Sequence, residues 1–233
     1  LKDIELIEFK GEFFQDEDVL DKFISQCDVI VHLAAVNRHN DPQVIYNTNI
    51  DLVKKLIESL NRNNSVAHVI FSSSTQEDCD NFYGQSKKEG RKLLIDWTKK
   101  SGGIFTGLVI PNVFGPFGNP YYNSVVATVS HQLTHNEKPK IDLDGRLKLI
   151  YVGELINEIY RVILDAKGCP ELKLDYTSEI KVSELLEKLN SYKDQYLNNG
   201  AIPELNTTFE KNLFNTYRSY IDYKSFFPYN LKQ

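Results

Sequence analysis

Apolar runs of strand length recur along the first 152 residues: 4-IELIEF-9, 28-DVIVHLAA-35, 67-AHVIFSS-73, 104-IFTGLVI-110 and 147-LKLIYV-152. Between them lie 17-EDVLDKFISQ-26, 43-QVIYNTNIDLVKKLIESLNR-62 and 85-QSKKEGRKLLIDWTKKSG-102, where apolar residues recur every three or four positions. The first pattern predicts strands and the second amphipathic helices. Their alternation predicts an α/β fold with a doubly wound, mainly parallel sheet. After residue 111 the character changes. Turn residues crowd 115-GPFGNPYYN-123, and helical spacing returns in 183-SELLEKLNSYKDQYL-197. This part is expected to form a smaller C-terminal lobe, built from 112–146 plus 167–233, beside a sheet domain of 1–111 plus 147–166.

Composition narrows the class. With 233 residues, 41% hydrophobic and 25% charged, the chain is long enough to bury a substantial core. A formal net charge of −5 and no long basic run give no basis for attraction to nucleic acid or anionic lipid. The apolar runs fall far short of the roughly 20 residues a membrane helix needs, and no basic segment followed by an apolar one opens the chain. A cytoplasmic protein with neither kind of partner is expected. Cys27, Cys79 and Cys169 lack CxxC spacing, so they are read as structural thiols rather than a disulfide framework or zinc site. His131 and His135 stand at i, i+4 without an accompanying carboxylate, and no metal site is expected. There is no methionine, even at position 1, so the chain is expected to begin inside a longer gene product or to lack an upstream piece.

In doubly wound sheets the ligand lies beyond the carboxyl ends of the strands. The runs here end in His32-Leu33-Ala34-Ala35, Ser72-Ser73-Ser74-Thr75 and Pro111-Asn112. Small residues let a cofactor approach the backbone, and hydroxyls and an amide orient it, although any one of these ends also reads as ordinary strand-end polarity. The stretch 81-NFYGQSKKEG-90 is more pointed. Tyr83 and Lys87 are four apart, which puts them on one helical face. An ammonium beside a phenol favours the phenolate and lowers its pKa, so Tyr83 becomes a proton donor or acceptor at neutral pH. A hydroxyl from the preceding strand end, best supplied by Ser74, would hydrogen-bond the same substrate oxygen. Ser73 or Thr75 are alternatives.

Taken together and in this order, VIVHLAA, FSSS, YGQSK and 109-VIPNVFGP-116 resemble the extended short-chain dehydrogenase/reductase family, which acts on nucleotide sugars. Two later stretches, 111-PNVFGPFGNPYYNSVVAT-128 and 209-FEKNLFNTYRSYI-221, resemble the CapF-type reductases of capsular polysaccharide biosynthesis within it. The resemblance implies a Rossmann domain holding NADP(H), with NAD(H) the less favoured cofactor, and Ser74, Tyr83 and Lys87 as the catalytic trio. It implies cofactor contacts from Leu33, Ala34, Ala35, Asn49, Ser72 and Pro111 as well as from Tyr83 and Lys87. A UDP-sugar substrate would meet Ser74, Thr75, Asn112, Asn123 and Ser124. The family also commonly dimerises through two helices per subunit, here 43–60 and 85–100, as a four-helix bundle. Val53, Leu56, Leu93, Leu94 and Trp97 either line that contact or face the sheet.

The chain departs from the family in several places. It holds no glycine-rich βα turn for the cofactor pyrophosphate; it opens at what looks like the second strand, 4-IELIEF-9. Nor does it contain the histidine-bearing cupin domain of CapF-type proteins. Lys10 follows that opening run where NAD-binding folds usually carry an acid, which favours NADP. Dehydratases of the family carry an Asp-Glu pair directly after the catalytic hydroxyl, whereas here Thr75-Gln76 intervene before Glu77. The expected activity is therefore NADPH-dependent reduction of a UDP-linked 4-keto-6-deoxy-N-acetylhexosamine. A related epimerase, or a catalytically silent Rossmann-like module, stands as the alternative.

Overall fold

A computed structural model describes residues 4–226. The chain divides into two compact units. The first runs to Ile110 and takes up Asn157–Leu174; the second comprises Pro111–Ile156 and the chain from Asp175 onward.

In the first unit, β1 (Val29–His32), β2 (His68–Ser74), β3 (Ile104–Ile110) and β6 (Cys169–Lys173) form a parallel sheet in the order β1-β2-β3-β6. The interior strands β2 and β3 are buried almost throughout, as a parallel sheet covered on its faces requires. Three helices precede or follow them: α1 (Glu17–Ile24), α2 (Pro42–Arg62) and α3 (Phe82–Ser101). Each starts on a side-chain cap. Asp16 accepts from the Val19 N–H, Asp41 from Gln43 and Asn81 from Gly84, which satisfies amide donors that the first helical turn leaves unpaired. Helix α3 ends on Gly102 at φ 74°, the left-handed geometry glycine adopts without a Cβ clash. Leu20, Ile24, Val53, Leu56, Leu60, Phe71, Leu94 and Trp97 fill the core beneath these helices.

The opening run 4–9 is not a strand. It joins no ladder, and Leu6 is 88% exposed. Phe9 sets its ring edge-on to Phe13, Phe14 and Phe23 at 5.0–5.4 Å, and Ile4 and Ile7 are part-buried. The expected strand at 147–152 exists as β5 (Arg146–Tyr151), but it pairs with β4 (Asn112–Phe114) and β7 (Ser178–Lys181) in a separate three-stranded sheet. The fourth strand of the first sheet is β6, in a stretch expected to fall in the lobe. Its sequence CPELK has no apolar run and is only partly buried, so it left no periodic signal.

The second unit packs α4 (Val125–Thr134), α6 (Val182–Tyr192) and α7 (Thr208–Arg218) around Leu185, Leu189, Leu213 and Tyr217. A capping box starts α7: Thr207 Oγ1 accepts from the Glu210 N–H, and the Glu210 carboxylate accepts from the Thr207 N–H. The helix α5 (Val152–Asp165) carries the chain back into the first unit.

Candidate functional site

The carboxyl end of β2 turns directly into a short 3-10 segment, Thr75–Asp78, and then into α3. Alternation along β2 splits the three serines between two faces. Ser72 and Ser74 are part-exposed, whereas Ser73 is buried and donates a short hydrogen bond to Glu77. Ser74 caps the 3-10 segment, its Oγ accepting from the Gln76 N–H at 3.2 Å, and Thr75 is exposed. Of the three candidate hydroxyls, Ser73 is thus occupied within the fold.

Lys87 lies at the same strand end. It is 2% exposed, and its Nζ donates to the Ser72 carbonyl at 2.8 Å and reaches Ser72 Oγ at 3.5 Å. The ammonium stands 4.9 Å from the centre of the Phe71 ring and 5.7 Å from that of Tyr83, within reach of both π faces. Burial pulls its pKa down to about 8, while the carboxylate of Glu77 acts in the opposite direction. Tyr83 and Lys87 are therefore brought together, with the half-buried Tyr83 one turn nearer the start of α3.

Two features that residue type alone does not announce set this arrangement. A Cβ on Gly84 would lie 1.9 Å from the Gln76 carbonyl oxygen, so only glycine lets α3 begin this close to the turn after Ser74. Ser86 Oγ donates to the Tyr83 carbonyl at 2.7 Å and accepts from Asn49 Nδ2 at 3.0 Å.

Asn49, buried on α2, also clamps the loop after β1. Its Oδ1 accepts from the Val36 N–H at 2.7 Å and its Nδ2 donates to the Val36 carbonyl at 2.9 Å. The clamp holds Leu33, Ala34 and Ala35, of which Leu33 is 59% exposed and the alanines are partly so. Beneath them His32 stacks on Phe71 at 5.6 Å, and burial, reinforced by Lys87, drives its pKa to about 3. His32 is neutral at physiological pH and belongs to the core.

Other expected residues lie elsewhere. Lys10 is exposed and precedes the 3-10 turn Gly11–Gln15. It follows no strand, so the charge argument for NADP loses its structural premise. Pro111, Asn112, Asn123 and Ser124 belong to the second unit. There Pro111 is buried, Asn112 opens β4 and is exposed, Asn123 is exposed, and Ser124 caps α4 by accepting from the Ala127 N–H at 3.3 Å. Of the five residues weighed for a bundle contact, Val53, Leu56, Leu94 and Trp97 are buried in the chain's own core. Leu93 alone is part-exposed, lining a groove with Tyr46, Ile50 and Lys54. His131 and His135 stack at 3.9 Å, with His135 Nδ1 against the His131 carbonyl and the Thr134 hydroxyl. Among the described residues, no helix is long and apolar enough to cross a membrane.

Known proteins share this arrangement of elements. Residues 10–171 match the NAD dependent epimerase/dehydratase family. The chain is 28% identical over 210 residues to the UDP-2-acetamido-2,6-beta-L-arabino-hexul-4-ose reductase of Pseudomonas aeruginosa, an alignment taking in 89% of this chain and 56% of the relative. The crystal structure of the capsular polysaccharide assembling protein CapF from Staphylococcus aureus superposes with a TM-score of 0.76 at 29% identity, over 91% of this chain and 57% of that one. The Bordetella bronchiseptica enzyme WbmF, solved with NAD+ and UDP, shares the fold with a TM-score of 0.76 at 16% identity, over 96% and 79% of the two chains. The chain thus spans a little over half the length of the reductase and of CapF. With more than half of its residues matched, the chain belongs to the NAD dependent epimerase/dehydratase family.

Proposed function

We propose that this protein, as its complete gene encodes it, reduces a UDP-linked 4-keto-6-deoxy-N-acetylhexosamine with NADPH, in the synthesis of a capsular or other surface polysaccharide precursor. The observation that carries the reading is the buried Lys87 at the end of β2, hydrogen-bonded to Ser72 and one helical turn from Tyr83. The resemblance to a UDP-hexulose reductase supports the substrate class.

The donor set fits the nicotinamide half of a dinucleotide. An ammonium has three donors, and Lys87 directs one at the Ser72 carbonyl and one at Ser72 Oγ, which leaves one for a ribose hydroxyl. Leu33, Ala34 and Ala35 offer an approach without bulky polar groups, and Asn49 holds them in place. The preference for NADPH over NADH rests on the resemblance to the CapF-type reductases alone.

When bound, the reduced nicotinamide supplies a hydride to C4 of the keto sugar. Tyr83 gives its phenolic proton to the C4 oxygen, so the carbonyl becomes a hydroxyl and a phenolate remains. Lys87 stabilises that phenolate until solvent reprotonates it. Ser74 donates to the same oxygen and holds it in line with Tyr83. Asn112, Asn123 and Ser124 are assigned to the nucleotide sugar, and Pro111 to the cofactor. Water elimination is disfavoured because the acid nearest Ser74 in sequence, Glu77, is held by Arg91 and Ser73. The reading includes a cytoplasmic homodimer paired through α2 and α3, with the groove at Tyr46, Ile50 and Leu93 on the paired face.

The test is NADPH oxidation by the protein expressed from its complete gene on addition of the UDP-4-keto sugar, with the product identified. Stoichiometric oxidation and a 4-hydroxy product support the reductase. Interconversion of C4 epimers without net oxidation replaces it with an epimerase, and no turnover with retained dinucleotide binding replaces it with a silent module.

A further inference from the structure

Behind the candidate catalytic strand end, on the opposite face of β2, lies a second polar cluster for which the reaction has no direct use. Glu77 is 6% exposed at its side chain and Arg91 13%. Arg91 Nε donates to the two carboxylate oxygens of Glu77 at 3.0 and 3.2 Å, and its Nη2 donates to Oε2 at 2.7 Å. The far side of the guanidinium meets the Glu171 carboxylate at 2.9 Å and the Pro170 carbonyl at 3.3 Å, both on β6. Ser73 Oγ donates to Glu77 Oε1, the oxygen that also accepts from Arg91 Nε at 3.0 Å. The stem of Arg91 crosses β3 at Gly107, where a Cβ would lie 2.7 Å from both Arg91 Cδ and the Pro170 carbonyl oxygen. The β3–β6 register shifts at this same point.

A buried ion pair is weak evidence for stability, because desolvation offsets most of the Coulomb gain. What a forked, nearly fully paired guanidinium does supply is fixed geometry. This one ties together Ser73 on β2, Glu77 in the turn after Ser74, α3 two turns beyond Tyr83, and β6. Ser74 is separated from Glu77 by two residues and Lys87 from Arg91 by three, so the fork sets the spacing between the strand end and the helix that carry the trio.

We propose that Glu77 and Arg91 are positioning residues for the chemistry at Ser74, Tyr83 and Lys87, fixing the turn after β2 against α3. The proposal rests on the reductase reading for the reaction it serves. Neither residue needs to touch substrate. Glu77 also faces Lys87 electrostatically and favours its ammonium form. The other groups that bear on Lys87 are neutral His32 from β1, the Phe71 ring from β2 and Tyr83 on α3 itself.

The test compares Arg91→Met, Arg91→Lys and Glu77→Gln with the wild type, in protein expressed from the complete gene. Turnover of the UDP-4-keto sugar is followed alongside thermal unfolding and an NMR titration of the Lys87 amine. Misplacement of the trio should lower kcat of Arg91→Met by about 10- to 100-fold, with KM changed by less than about threefold. Arg91→Lys should recover part of the loss. Glu77→Gln should move the Lys87 titration to lower pH, an effect a merely structural role would not produce. Undiminished kcat in folded Arg91→Met overturns the proposal. If the wild type itself turns nothing over, the reductase reading fails instead, and the Lys87 titration judges the pair: a shift in Glu77→Gln supports it and an unmoved titration overturns it.

Discussion

The Lys87 ammonium donates to the Ser72 carbonyl at 2.8 Å, deep at the end of β2, with almost no exposure to solvent. The bond joins the helix carrying Tyr83 to the strand end carrying Ser74, and it accounts for how a lysine is tolerated there. The carbonyl dipole and two aromatic faces replace part of the lost hydration, and the remaining desolvation cost appears as a depressed pKa.

The depressed pKa makes activity and stability respond to alkali in opposite directions. Above about pH 8 Lys87 loses its proton, Tyr83 loses the charge that stabilises its phenolate, and kcat should fall. The unfolded chain keeps that proton up to about 10.5, so between about pH 8 and 10.5 it binds more protons than the folded one. The Lys87 contribution to stability therefore rises with pH across that window, on the order of 3 kcal/mol in total. Denaturant melts of wild type and Lys87→Met across this range isolate the term: the wild type should gain stability relative to the variant as pH rises. A difference constant with pH contradicts it.

Gly84→Ala should damage both folding and activity. The added methyl would lie 1.9 Å from a backbone carbonyl oxygen that cannot rotate away, so α3 must back off from the turn after Ser74. Overpacking of this kind costs about 1–3 kcal/mol or more, and a Tm lowered by several degrees is expected. An unchanged Tm would mean that the close approach is absent in solution.

Asn49→Ala removes three hydrogen bonds, two part-buried ones to Val36 and a buried one to Ser86. A loss of about 2–4 kcal/mol is expected, because the Val36 amide and carbonyl are left with weaker partners. Hydrogen exchange at Val36 should quicken, and dinucleotide affinity should fall with it because the loop carrying Leu33, Ala34 and Ala35 is no longer held. Asn49→Asp keeps the acceptor for the Val36 N–H but sets a second acceptor against the Val36 carbonyl at a buried site, and should lose no less.

Much of the first unit was legible because its interior strands are buried almost throughout and so carry dense apolar runs, as in HVIF and IFTGLVI. The amphipathic helices between them carry their own caps at Asp41 and Asn81. Pattern misled where it had no burial behind it. IELIEF is as rich in apolar residues as a strand yet makes no ladder, while CPELK forms one with almost no apolar residues. The pairing of Tyr83 with Lys87 followed from helical spacing alone. Which serine faces Lys87 depended on strand alternation, and the Glu77–Arg91 fork spans fourteen positions, from the turn after β2 into α3, beyond the reach of any local period.

The most direct test of the account is NADPH oxidation with the UDP-4-keto sugar by wild type and Tyr83→Phe, both expressed from the complete gene, with dinucleotide binding measured in parallel. The account predicts oxidation by the wild type and none by Tyr83→Phe, while NADPH binding stays largely intact, since the substitution removes only the proton donor. Oxidation by Tyr83→Phe at a rate near that of the wild type would contradict the role given to the phenol and, with it, the reason for burying Lys87 beside it.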